Sequence, residues 1–185
     1  RCHCDIGDID LSGIGSVHTL SLAHMPAIVN VSPLSSVNTL TLHNLPGVRD
    51  ISNLCTVQDL TLANMRGVVD IFPLASVPTL TLRDCPQIEL VSPLSSVRHL
   101  RLVNLRAVED VSALGSVSSL LISHLPRVAD ISALSTVHTL TLRALPLVID
   151  CSALAPVPHL SLQEMSHKCS CFCRSGAPGC SNGAR

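Results

Sequence analysis

Tryptophan and tyrosine are absent from this 185-residue chain, and Phe72 and Phe172 are its only aromatic residues. Hydrophobic content is nevertheless 46%. An ordinary core of this size uses rings to fill its volume, whereas thin identical layers need only aliphatic side chains. Charge of either sign is also missing in excess: 12 basic and 13 acidic residues leave a net charge of −1. That balance gives no general pull toward nucleic acid or an anionic membrane. No apolar run approaches the roughly 18 residues of a membrane span. No Gly-rich phosphate loop and no Ser/His/Asp motif is present. No insertion interrupts the pattern described below, and catalytic sites or small-molecule pockets usually need loops or depth. The chain therefore reads as non-enzymatic, with no cofactor and a small-molecule ligand disfavoured.

What is present is repetition. The stretch VNTLTLHNLPGVRDISNLCT, residues 37–56, returns every 20 residues without insertion or deletion. Val17, Val37, Val57, Val77, Val97, Val117, Val137 and Val157 open the successive units. Seven units are complete from Val17 to Pro156, and an eighth fades after Met165. Such a fixed period is the signature of a solenoid. Three segments follow: a cysteine-bearing N-terminal end over 1–9, the solenoid over 10–166, and a cysteine-rich tail over 167–185, expected to be disordered.

Counting each unit from its valine, positions 1, 4, 6, 9, 12, 15 and 18 are apolar throughout. Seven of the twenty positions are thus assigned to the interior. Leu at 4 and 6, alternating with Thr at 3 and 5, is the period-2 pattern of a strand with one buried face. Pro is frequent at position 10, as at Pro26, Pro46, Pro86, Pro126 and Pro146, and is expected to end the strand because it lacks a backbone donor. Position 14 is Asp in most units and can accept backbone N–H bonds in a turn. Ser at 16 followed by Pro, as in Ser32-Pro33 and Ser92-Pro93, reads as N-cap and first helical residue. The few residues left before the next valine allow one 3₁₀-like turn. One unit cannot bury its apolar side alone, so coils must stack, with strands about 4.8 Å apart in one parallel sheet.

The phrase Val-x-x-Leu-x-Leu-x-x-(Met/Leu/Cys), with an aliphatic residue three positions on, resembles the leucine-rich-repeat consensus. Cys85 in LTLRDCPQI stands at the motif's cysteine, and DIS-x-L and VSPLSS are similar to the short repeats of internalin-type proteins. The resemblance covers about residues 10–165. It departs from the family in shorter units and in Met or Leu where the motif has Asn or Cys. It implies a right-handed coil with one parallel β-sheet of about eight short strands and a convex side of 3₁₀ turns. It also implies that the strand face binds another macromolecule, most readily a protein.

Outward strand positions then carry specificity. Most are small: Thr19, Ser21, Thr39, Thr41, Thr61, Thr79, Thr81, Thr139, Thr141 and Ser161. The middle departs, with Arg98, His99 and Arg101 expected on one strand, Arg83 one repeat earlier, and Val103 and Leu121 beside them. Arginine next to apolar surface is a hot-spot composition, so Arg83, Arg98, His99, Arg101 and Leu121 are the candidate contacts. Neutral drift on a solvated face accounts for the same residues. The Thr-x-Thr rows also resemble the ice-binding faces of some antifreeze proteins, although β-propensity and cross-strand pairing explain threonine equally. A duplicated array with no selected ligand is a further reading.

Histidine and cysteine offer less. His24 and His43 are expected to be neighbours on adjacent coils, but two imidazoles make a poor metal site. Cys2, Cys4, Cys169, Cys171, Cys173 and Cys180 crowd the two ends, with C-x-C spacing unlike common zinc ribbons. They leave disulfides, soft-metal binding or neither open. Cys85 and Cys151, at inward positions, are expected to act as small buried hydrophobes, and Cys55 to be more exposed.

Overall fold

The computed structural model describes residues 10–165. The cysteine-bearing segments assigned to 1–9 and 167–185 lie outside them. Eight five-residue strands follow at the period of the sequence: β1 (Thr19–Ala23), β2 (Thr39–His43), β3 (Asp59–Ala63), β4 (Thr79–Arg83), β5 (His99–Val103), β6 (Ser119–Ser123), β7 (Thr139–Arg143) and β8 (His159–Gln163). They form one open parallel sheet in chain order. The register is the repeat itself, with Leu40 beside Leu60 and Thr41 beside Thr61. Short 3₁₀ turns such as Ser32–Ser36, Ser92–Ser96 and Ser132–Thr136 run along the opposite side.

Between these two sides lies the core. Leu at positions 4, 6 and 18 is fully buried through the middle of the array, together with the aliphatics at 1, 9, 12 and 15. Burying each such side chain is worth about 1.5–3 kcal/mol. The first coil is less covered: Val17 is 41% exposed, and Leu20 and Leu22 are only partly buried. Among the described residues none stacks fully on its outer side, and stability in such an array comes from neighbours.

The turns differ from the sequence expectation in two ways. First, each strand ends at position 7, three residues before the proline. Position 8 takes a left-handed backbone in all eight units, from His24 (φ 59°) to Glu164 (φ 52°). This conformation costs an L-residue least as Asn or Asp, and Asn44, Asn64, Asp84 and Asn104 occupy it. The proline lies within the turn that follows and does not itself terminate the strand. Second, the serine at 16 is the first residue of the 3₁₀ turn, not its cap. Position 15 precedes the turn and makes no side-chain cap bond. The cap comes from position 14, where Oδ1 of Asp50, Asp70, Asp110, Asp130 and Asp150 accepts the N–H of position 16 at 2.8–2.9 Å. Asn30 does the same for Ser32 at 2.9 Å.

A further tie was not read from the sequence. The hydroxyl at position 20 donates to the carbonyl of position 19 one coil earlier. Thr56 reaches Ser35, Ser96 reaches Ala75, Ser116 reaches Ser95 and Thr136 reaches Gly115, at 2.6–2.8 Å. The unbroken Ser/Thr column up to Thr136 was its signal.

The cysteines divide. Cys85 is a buried free thiol, and burial pushes its pKa up. Cys55 is half-buried and free. Cys151 is buried as expected, yet it is disulfide-bonded and not a simple hydrophobe.

Two predictions follow from this packing. Leu114→Ala should lower unfolding stability in urea by about 2–5 kcal/mol, the cost of a cavity at a closed site, and Leu20→Ala in the open first coil by less. The second concerns acid. The serine N–H bonds hold the carboxyls of Asp10, Asp50, Asp110, Asp130 and Asp150 below their ordinary 3.8. A carboxyl depressed in the folded state adds stability above its unfolded pKa and loses it as pH falls through the folded value. Replacing Asp50, Asp110, Asp130 and Asp150 by Asn keeps the acceptor, as Asn30 shows. Thermal melts should therefore be little changed at pH 7, and the loss of Tm between pH 4 and pH 2 should shrink.

Candidate functional site on the strand face

Strand alternation places positions 3 and 5 on the outer face, and the exact register aligns them in two files. The position 5 file reads Ser21, Thr41, Thr61, Thr81, Arg101, Leu121, Thr141, Ser161. The position 3 file reads Thr19, Thr39, Asp59, Thr79, His99, Ser119, Thr139, His159. Threonine columns thus give way in the middle to His99 and Arg101 on β5 and Leu121 on β6. Arg101 stands directly beside Leu121 and beside Thr81 on the other side.

This region is also where the face is hollowed. A shallow cleft of about 640 Å³ is lined by Asp59, Thr61, Thr81, His99, Arg101 and Leu121 among others. His99 and Arg101 are exposed and Leu121 is half-buried. No ion pair restrains Arg101 among the described residues. The cleft offers one cation, one carboxylate, one imidazole, an aliphatic patch and hydroxyls.

The five candidate residues do not form one cluster. His99, Arg101 and Leu121 line the cleft. Arg98 precedes β5 and is exposed at the strand entrance, its N–H bonded to the Pro78 carbonyl at 3.2 Å. Arg83 is the last residue of β4, at the opposite rim, where its Nε donates to Asp84 at 3.0 Å. The sequence placed Arg98, His99 and Arg101 on one strand, and the strand begins one residue later.

Histidines pair as rings and not as ligands. His24 and His43 meet edge to face at 4.7 Å between centroids, and His138 and His159 do so at 5.1 Å. The second pair was not foreseen. Among the described residues no group of three His, Cys, Asp or Glu could hold a metal.

No family model and no curated protein matches the sequence. Solved structures do. The fold is similar to that of an internalin (inlF) from Listeria monocytogenes, with a TM-score of 0.55 and 20% identity over 81% of this chain. An internalin C2 (inlC2) from the same organism is 23% identical over 73% of this chain and 66% of its own, with a TM-score of 0.47. The fold is a leucine-rich-repeat solenoid. The chain spans about half of the first internalin, 48% of its length. At 20% identity the likeness is one of architecture.

The leucine-rich repeat here has an unusual polar column. The motif's Asn/Cys position is filled by buried Leu, Met or Cys85, whose Sγ lies 3.2 Å from the Arg83 carbonyl. The amides stand one residue earlier, at the left-handed position 8. Asn44 bonds His24 at 2.9 Å, Asn64 donates to Asn44 at 3.1 Å, and Asn104 donates to Asp84. The recurrence of Asn at that position was the available signal.

If Arg101 and Leu121 serve contact and not folding, returning them to the column's own residue should be harmless. Arg101→Thr and Leu121→Thr are each expected to change urea-derived stability by no more than about 0.5 kcal/mol, the range of uninvolved surface substitutions. Equilibrium unfolding by circular dichroism measures this directly.

Proposed function

We propose that this leucine-rich-repeat solenoid is a non-enzymatic recognition module whose partner is a protein bound on the strand face. The observation that carries the reading is the coincidence of two features. The cleft lies where the threonine columns are replaced by His99, Arg101 and Leu121, and it is formed by consecutive strands. A rigid sheet presents these side chains with little ordering cost, and an arginine beside apolar area is a frequent anchor in interfaces. Arg98 and Arg83 extend the contact to the two rims, on opposite sides of the same central coils.

The second reading rests on Thr41, Thr61 and Thr81, three consecutive threonines in register on the outer face. Such a column is the geometry of an ice-binding surface. Arg101 and Leu121 interrupt its continuation, and Asp59 and His99 interrupt the neighbouring position 3 file, which favours the protein partner.

Arg98→Glu with Arg101→Glu is expected to reduce capture of the partner from the source organism's extract by at least tenfold, with unchanged far-UV circular dichroism. Equal capture by wild type and variant would remove this face from consideration. Thermal hysteresis that depends on Thr41, Thr81 and Thr141 and ignores the two arginines would replace it with the ice reading.

A further inference from the structure

A second groove lies outside the strand-face cleft, along the rim where the strands end. It measures about 650 Å³ and is lined by His43, Asn64, Arg66, Asp84, Asn104 and Arg106 among others. Arg66 and Arg106 share position 10 of their units. Every other complete unit has proline there: Pro26, Pro46, Pro86, Pro126 and Pro146. The two arginines are therefore departures from the repeat, two coils apart, on the same side of the molecule.

The amide column explains how they are held. Asn44 has its Oδ1 taken by the amide of Asn64. Asn64 is followed by Asp84, which as a carboxylate has no proton to give. The Oδ1 of Asn64 therefore accepts from Nε of Arg66 instead, at 3.4 Å. Asn104 is followed by His124, whose Nδ1 is engaged with the Ser123 hydroxyl at 2.7 Å. Its Oδ1 receives Nε of Arg106, at 3.5 Å. At both breaks in the column an arginine stands where the repeat has proline. Each uses its Nε for this, and among the described residues no hydrogen bond engages the outer guanidinium nitrogens. Both arginines are exposed, and neither makes an ion pair among the described residues.

We propose that this groove binds an acidic polypeptide segment through two carboxylates, one on Arg66 and one on Arg106. Strand spacing puts the two coils roughly 10 Å apart, twice the 4.8 Å between neighbouring strands. Guanidinium forks take carboxylates in pairs of parallel bonds. The groove is not a uniform basic stripe. Asp84 sits between the arginines as a carboxylate, paired with Arg83 at 3.0 Å and accepting a hydrogen bond from the Asn104 amide. The formal charge of Arg66, Arg83, Arg106 and Asp84 sums to +2. A continuous polyanion would set negative charge against Asp84. A peptide can place an uncharged residue there and keep its two carboxylates on the flanking forks. The site is separate from the strand-face cleft and stands or falls independently of the reading given there.

The test uses the whole chain and labelled peptides bearing two glutamates on a neutral background, separated by two to seven residues. Fluorescence anisotropy is expected to show one preferred separation, at least tenfold tighter than a single-glutamate peptide and weakening with salt. Arg66→Pro with Arg106→Pro restores the repeat's own residue and should lose at least tenfold in binding without loss of Tm. If that variant folds poorly, Arg66→Gln with Arg106→Gln makes the same comparison. Binding indifferent to glutamate spacing, binding retained in the arginine variants, or equal preference for heparin at matched charge would each overturn the proposal.

Discussion

Everything in this molecule depends on one constraint: each coil's aliphatic side chains can leave water only by resting on the coil before and the coil after. No single 20-residue unit encloses a core, so the interior exists only as stacked columns. The stack tolerates no slip. A shift of one residue would turn the leucines of positions 4 and 6 outward and the threonines of 3 and 5 inward. The uniform unit length follows from this, because an added residue would break every column at once.

Around that core, polar groups do the local work of turning the chain. At position 8 a left-handed residue ends the strand. The Asp or Asn at 14 closes the 3₁₀ turn, and the hydroxyl at 20 ties the turn to the previous coil. These ties are exposed and individually modest. Their value is repetition: each fixes the same geometry in successive units, so that the strand face is straight in register. No buried side-chain polar atom among the described residues lacks a partner, which is consistent with a core left wholly to aliphatic packing.

Both proposed contact surfaces rest on departures from the repeat. Where the repeat writes threonine, the central coils write His99, Arg101 and Leu121. Where it writes proline, Arg66 and Arg106 appear. Neither group is needed by the core, since the positions face outward and the remaining units fold the same way without them. The two sets occupy different sides of neighbouring coils, one on the sheet and one at its rim. A partner engaging both would wrap the edge of the sheet.

The sequence by itself determined the period, the seven inward columns, the strand and turn assignments and the parallel order, because period-2 and period-20 patterns are direct consequences of which side chains must be buried. It also exposed the departures at 98–101 and 121. It did not locate the end of each strand, because the proline at 10 is conspicuous while the left-handed backbone at 8 is carried by residues as different as Asn, His, Ala and Glu. It read the Asp at 14 as a turn acceptor but assigned the cap to serine because Ser-Pro is a familiar pair; in the structure that Asp accepts the serine's own N–H. Only the tertiary structure decided that Arg83 pairs with Asp84 on the rim and leaves the cleft to His99, Arg101 and Leu121. Neighbours across coils are 20 or 21 residues apart in the chain, and which of them touch is set by side-chain direction, a property that one unit's sequence does not contain.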